Sequence, residues 1–244
     1  MFYYYGRKKQ IARRYPKPNF DTIIEPFAGA AAYSLYDDNW KKRIILYEKD
    51  EKVADIWKWL INDATQTEIS KLPDLQPGDR STEFLHIVHA ATKMAFHFKR
   101  IKVTPVLARN WEISRRVFAA NLHKVQHWEI RCSDYSEAPD IEATWFIDPP
   151  YQGEPGMGYR HSSAHMNYAE LATWAQKRSG EVIFCEGAGA DYLPFKPLLD
   201  LKGVAGKTSK EVIYYRSDCP PEQPYLLNIG AQQAVPPKSD RAGG

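Results

Sequence analysis

The stretch Thr144-Trp145-Phe146-Ile147-Asp148-Pro149-Pro150-Tyr151 joins a compact apolar run to a rigid polar end. Two consecutive prolines cannot extend a central strand, so the run is a buried strand that stops at Asp148 and delivers it at a carboxyl end, where α/β proteins put ligands. Similar short runs lie at 22–25, 44–48, 128–132 and 181–186. Helical patterns separate them, and alternating strands and helices predict an α/β fold with a largely parallel, doubly wound sheet. One interval, 51–126, is too long for a single crossover. Its apolar spacing is helical at 53–61, 84–98 and 111–125, and it is broken by loop chemistry at 71–79 and by Thr104-Pro105. A small helical insertion is therefore expected at 66–126, within a core of 1–65 and 127–229. Beyond Glu186, Gly187-Ala188-Gly189-Ala190 is expected to leave the strand for a loop, and 211–215 is expected to pair with 225–229 as a closing hairpin. Residues 230–244 lack apolar periodicity and are expected to be disordered.

A chain of 244 residues suits one α/β domain carrying an insertion. No apolar run reaches bilayer length, so no membrane partner is expected. The beginning places aromatic residues before basic ones, the reverse of a secretory signal. Cys132, Cys185 and Cys219 form no Cys-x-x-Cys pair, which argues against a disulfide framework or zinc ribbon and for a reducing cytoplasm. The net charge of +3 hides two basic regions. Residues 1–20 carry Arg7, Lys8, Lys9, Arg13, Arg14 and Lys17 without an acid, and 93–131 carries Lys99, Arg100, Lys102, Arg109, Arg115, Arg116 and Lys124 against only Glu112 and Glu129. Phosphate contacts explain both regions, and a solvated helix face explains either alone.

Asp148 and the Pro149 carbonyl offer two acceptors for the two hydrogens of an exocyclic amine, because neither proline carries an N–H. Bonding both hydrogens turns the amine lone pair out of the ring and towards an electrophile. Pro150 keeps the segment rigid, and Tyr151 supplies an aromatic face for a base taken out of its stack. Upstream, Glu25-Pro26-Phe27-Ala28-Gly29-Ala30 ends a strand and turns through small residues towards a helix expected near Tyr33, letting a ligand approach the backbone. Glu48 ends the next strand and can accept from ribose hydroxyls. The second and third glycines of a dinucleotide fingerprint are missing, and no Gly-Lys-Ser/Thr follows, which excludes a P-loop.

Taken together, Tyr4-Tyr5-Gly6-Arg7-Lys8, Glu25-Pro26-Phe27-Ala28-Gly29-Ala30 and Asp148-Pro149-Pro150-Tyr151 resemble, in order, three motifs of the Dam-like (D12 class) DNA adenine N6-methyltransferases. The resemblance covers about residues 3–190. It implies a Rossmann-like class I methyltransferase fold, S-adenosylmethionine as cofactor, double-stranded DNA as partner and adenine N6 as target, with direct methyl transfer to a flipped base. It also implies that the helical insertion recognises the DNA target. Carried over by position, Asp148, Pro149, Pro150 and Tyr151 are the catalytic set. Tyr4, Lys8, Glu25, Phe27, Ala28, Gly29, Glu48, Asp134 and Asp148 bind cofactor, with Glu48 on the ribose and Asp134 on its adenine. Arg100, Lys102, Arg109, Arg115, Arg116, Tyr159 and Arg160 are the DNA-contact candidates. Ala31 is a departure, since the family usually has a second glycine there, and its methyl group is expected to crowd the methionine pocket. RNA adenine, cytosine N4 and a catalytically silent nucleic-acid binder are the alternatives; Asp148 and the motif order favour DNA adenine. A monomer is expected, with a dimer on DNA as the alternative.

His86, His89 and His97, and the pair His161 and His165, have helical spacing, but no cysteine or carboxylate completes a tetrahedral set and methyl transfer from a sulfonium needs no metal. No metal is expected. Residues 152–166 read as a loop over the base, Cys185 as core, and Trp57 and Trp59 as packing residues.

Overall fold

The computed structural model describes residues 2, 4, 6, 8–79, 102–202 and 208–219. Five runs rich in β-branched and aromatic residues form the parallel part of one sheet: β1 (Thr22–Glu25), β2 (Arg43–Tyr47), β3 (Glu129–Arg131), β4 (Ala143–Ile147) and β5 (Gly180–Gly187). Two further strands, β6 (Lys196–Lys202) and β7 (Thr208–Ser217), run antiparallel to their neighbours and complete the order β3-β2-β1-β4-β5-β7-β6. The chain moves outward through β2 and β3 on one side of β1, then returns to β4 on the other. The order therefore reverses between β1 and β4, where Ile24 pairs with Trp145, and a crevice opens beyond their carboxyl ends.

Both faces of the sheet are covered, which explains why its strands are almost continuously apolar. Alternation sends Ile23, Leu46, Phe146 and Ile183 to one face, where α1 (Glu51–Lys58) and α3 (Pro105–Val125) contribute Trp57, Trp111 and Phe118. It sends Ile24, Tyr47, Trp145 and Phe184 to the other, covered by Leu171, Ala172 and Ala175 of α4 (Tyr168–Gln176). Each helix begins at a side-chain cap that satisfies an orphan N–H: Asp50 for α1, Thr65 in a reciprocal box with Glu68 for α2 (Gln66–Lys71), Thr104 ahead of Pro105 for α3, and Asn167 for α4. Of the expected insertion 66–126, α2, the loop to Asp79 and α3 are described. Ile69, Leu75, Trp111, Leu122 and Val125 join the same core cluster as the sheet, so these described parts share its core.

Two expectations need correction. No helix follows the small-residue turn at Tyr33; turns lead to a short 3-10 helix at Asn39–Lys41 instead. Ala31 and Asp37 both take left-handed backbone, with φ of +47° and +51°, which breaks helical continuity. Tyr33 is drawn into the core, stacked on Phe146 at 4.2 Å, with its hydroxyl donating to the Pro16 carbonyl. The second correction concerns the closing hairpin: 211–215 lies in β7, which pairs with β5 and β6, and Pro197-Leu198-Leu199 supplies the outer partner. The expected partner 225–229, the helical run 84–98 and the tail 230–244 lie outside the described residues.

Candidate active site

The turn after β1 brings its backbone to the wall of a cavity. Gly29 has φ of +46°, and a Cβ there would stand 3.0 Å from the ring of Tyr4. The turn is held from below by Trp57 of α1, whose Nε1 donates to the Gly29 carbonyl at 2.8 Å. Glu48, one residue past β2, accepts from Gly29 N at 2.9 Å and from Asp50 N at 2.8 Å. Burial pushes its carboxyl up to about 7, although those backbone donors favour the ionised form. Glu25 is buried more deeply; desolvation raises it to about 8 while its oxygen accepts from Ser34 N at 2.8 Å. That bond stabilises the turn, a structural task alongside its place in the cavity wall. Asp134 caps the 3-10 turn Tyr135–Glu137 and pairs with Lys49 at 2.8 Å. Burial opposes its ionised form, but Lys49 and the Ser136 donors outweigh it and hold the carboxyl below its ordinary value. Next to it, Phe27 and Tyr135 stack with centroids 5.3 Å apart, a flat aromatic wall.

Across the crevice, β4 delivers Asp148. Lys8 reaches it from the N-terminal segment, with Nζ 2.9 Å from Asp148 Oδ1 and 3.4 Å from Glu211 Oε1. Desolvation raises Asp148 to about 6 against the pull of Lys8. Burial alone would lower Lys8, but the two carboxylates overcome it and hold the ammonium above its ordinary value. The Tyr151 ring centroid lies 4.4 Å from Lys8 Nζ, and its hydroxyl donates to Glu211. The loop leaving Pro150 is pinned twice. Tyr168 OH donates to the Pro150 carbonyl at 2.8 Å, and Glu186, at the end of β5, accepts from Gln152 N at 3.2 Å, Gly187 N at 2.7 Å and the Tyr192 hydroxyl.

These halves meet in one cavity of about 440 Å³. Every residue expected to bind cofactor lines it, as do Ala31, Pro150, Tyr159 and Arg160. Pro149 and Tyr151 are not among its walls. Residues 152–166 form short 3-10 turns, with Tyr159 beside Tyr4 (centroids 6.1 Å apart) and Arg160 within 3.3 Å of Asp50 Oδ1. The basic candidates on and just before α3 have different surroundings. Arg109 and Lys102 are exposed, Arg116 pairs with Glu112 at 2.8 Å, and Arg115 is committed to the Leu72 carbonyl and Asp74. Arg115 thus ties α3 to the 72–74 loop. Arg100, His86, His89 and His97 lie outside the described residues. Among the described residues no group of three or more His, Cys, Asp or Glu is placed to hold a metal, and no helix is long and apolar enough to cross a membrane.

Sequence reasoning missed Asp50, Tyr135, Tyr168, Glu186 and Glu211. Glu186 carried a usable signal, because it ends an apolar run as Glu48 nearly does. Glu211 did not, since it lies near the start of its strand.

No protein-family model matches the chain, and no curated protein matches it. The chemistry on view is a crevice lined by a glycine turn and an aromatic wall on one side. On the other side, a half-buried carboxylate holds a nitrogen donor over a tyrosine ring.

Proposed function

We propose that this chain is an S-adenosylmethionine-dependent DNA adenine N6-methyltransferase with a Rossmann-like class I architecture. One observation carries the proposal: half-buried Asp148, placed by β4 beside the crevice, holds a nitrogen donor at 2.9 Å in the cavity that Gly29 and Glu48 also line. The strand order through β3-β2-β1-β4-β5 supports it, being that of doubly wound nucleotide-binding sheets.

The residues present fit the cofactor. Asp50 lines the cavity and its Oδ2 is buried without a hydrogen-bond partner, a waiting acceptor. A Cβ at Gly29 would close the turn against Tyr4. Gly29 and Ala28 would face the amino-acid part, Glu48 and Asp50 the ribose, and Phe27, Tyr135 and Asp134 the adenine. Carboxylates outnumber the cations Lys8, Lys49 and Arg160 around the cavity, which suits a cationic sulfur. Bound S-adenosylmethionine supplies an electrophilic methyl group.

Asp148 accepts a hydrogen of the target amine, turning the nitrogen lone pair towards that methyl. Asp148 would take the N–H proton that the target nitrogen gives up on methylation. Desolvation suits it to both tasks: at about 6 its carboxyl is ionised at neutral pH yet basic enough to be protonated. Below about pH 6 Asp148 is protonated before the reaction begins and the rate falls. The rigid prolines and the Tyr168 and Glu186 bonds keep that acceptor fixed. Exposed Lys9, Arg13, Arg14, Lys17, Lys102 and Arg109 provide positive charge for a phosphate backbone.

Calorimetric titration with S-adenosylmethionine, paired with labelled methyl transfer to duplex DNA, tests the proposal. Asp148→Ala should bind the cofactor within about threefold of wild type but lose transfer by at least roughly 10³-fold. Failure of the wild-type protein to bind S-adenosylmethionine contradicts the proposal, and so does an unchanged rate in Asp148→Ala.

A further inference from the structure

Lys8 holds the place that a target amine would need. Its Nζ lies 2.9 Å from Asp148 Oδ1, donates to the Gly6 carbonyl at 3.2 Å and lies 4.4 Å from the Tyr151 ring centroid. The ammonium therefore uses both the carboxylate and the aromatic face that an amine-bearing base would use. It cannot simply be pushed aside, because a buried charge without a partner is strongly unfavourable.

Glu211 answers that requirement. It is 3 % exposed, pairs in register with Gly187 at the end of β5, and already lies 3.4 Å from Lys8 Nζ. Its Oε1 also takes the Tyr151 hydroxyl and, at 3.4 Å, the Tyr15 hydroxyl, so the carboxylate is fixed in place. We infer that Glu211 is a positioning residue that receives the Lys8 ammonium when the target amine takes Asp148, so that the displaced ammonium keeps a carboxylate partner while the less buried Asp148 exchanges its ion pair for hydrogen bonding to the neutral amine. The inference rests on the amine methylation proposed above. No covalent bond changes in the exchange; the Lys8–Asp148 ion pair is given up and the existing Lys8–Glu211 pair kept, while Tyr151 is held by the same carboxylate that Lys8 moves towards. The groups that face Asp148 are Lys8, Glu211 on β7 and Tyr151, with Tyr4, Tyr15, Glu25 on β1, and Cys185 and Glu186 on β5 also acting on it electrostatically.

Glu211→Gln keeps the shape and removes the charge. Its kcat for methyl transfer to duplex DNA should fall roughly 10- to 100-fold while its S-adenosylmethionine Kd stays within about threefold. The acid limb of its kcat profile should move to lower pH, because a like charge beside Asp148 is gone. In a Lys8→Met background the same substitution should have little further effect, since Glu211 acts through Lys8. An unmoved acid limb, an unchanged kcat, or effects that add in the double variant each overturn the exchange. If Glu211→Gln does not fold, Glu211→Asp decides: its carboxylate ends one methylene short, so a kcat within about twofold of wild type overturns the exchange, whereas a fall with the acid limb in place supports it. Wild-type protein that binds S-adenosylmethionine but transfers no methyl to DNA removes the proposed function and this inference together. Wild-type transfer with an indifferent Glu211→Gln removes the inference alone.

Discussion

The parallel strands and the antiparallel strand β7 supply the site by opposite rules. β2, β4 and β5 run towards the crevice, so their chemistry follows or ends the strand: Glu48 after β2, Asp148 after β4, Glu186 near the end of β5. β7 runs the other way and brings its amino-terminal half to the same edge, so Glu211 stands early in its strand yet reaches Lys8 and Tyr151. Searching strand ends for carboxylates finds the first set and passes over the second. An antiparallel strand in a mostly parallel sheet has to be searched from its start.

The largest effect should come from the parallel edge. Glu48→Ala removes the acceptor of Gly29 N and Asp50 N and the proposed ribose contact, so S-adenosylmethionine affinity should weaken roughly 30- to 100-fold by titration. An affinity within threefold of wild type would mean that Glu48 only shapes the turn. Next is Glu186→Ala, which strands the N–H groups of Gln152 and Gly187 and frees the loop after Pro150. Stopped single-turnover assays should show roughly tenfold slower transfer with cofactor affinity preserved; weaker cofactor binding at an unaltered rate would assign Glu186 to the other half of the crevice.

Much of this geometry was legible because it depends on local patterns. β1 was placed at Thr22–Glu25 from its apolar run, and Asp148-Pro149 marks the end of β4 because proline cannot continue a strand. The missing helix at Tyr33 was not legible: the apolar spacing is helical, but Ala31 and Asp37 adopt left-handed backbone that the spacing does not encode. The partner of β7 was misassigned because strand pairing is a long-range choice, and Lys196–Lys202 contains a proline that reads against a strand. Proline is tolerated there because β6 is an edge strand among the described residues. Arg115 looked like a phosphate ligand by charge alone, while its half-buried position spends the guanidinium on Leu72 and Asp74.

A medium effect should separate the buried acids by pH. Burial raises Asp148 to about 6, Glu48 to about 7 and Glu25 to about 8, so the folded protein binds more protons than the unfolded chain up to about pH 8. Their contribution favours folding at low pH and is lost as pH rises through those values. The Tm should therefore fall between pH 6 and 8.5, and Glu25→Gln should flatten the decline; a Tm that climbs over that range contradicts the assignment. Ala31→Gly should have the smallest effect. It relieves left-handed strain of about 1–2 kcal/mol, but forfeits a buried methyl of about 0.8 kcal/mol and adds about 0.5–1 kcal/mol of unfolded-chain entropy. The Tm should stay within about 2 °C of wild type. A large gain would mean that the left-handed strain at Ala31 outweighs its buried methyl and the entropy term.

The most direct measurement is nucleoside analysis of unmethylated duplex DNA after incubation with the protein and methyl-labelled S-adenosylmethionine. The expected product is N6-methyladenine, absent when Asp148→Ala replaces the wild-type protein. Label in N4-methylcytosine, or none in DNA although the cofactor is bound, would contradict the assignment of Asp148-Pro149-Pro150-Tyr151 to adenine N6.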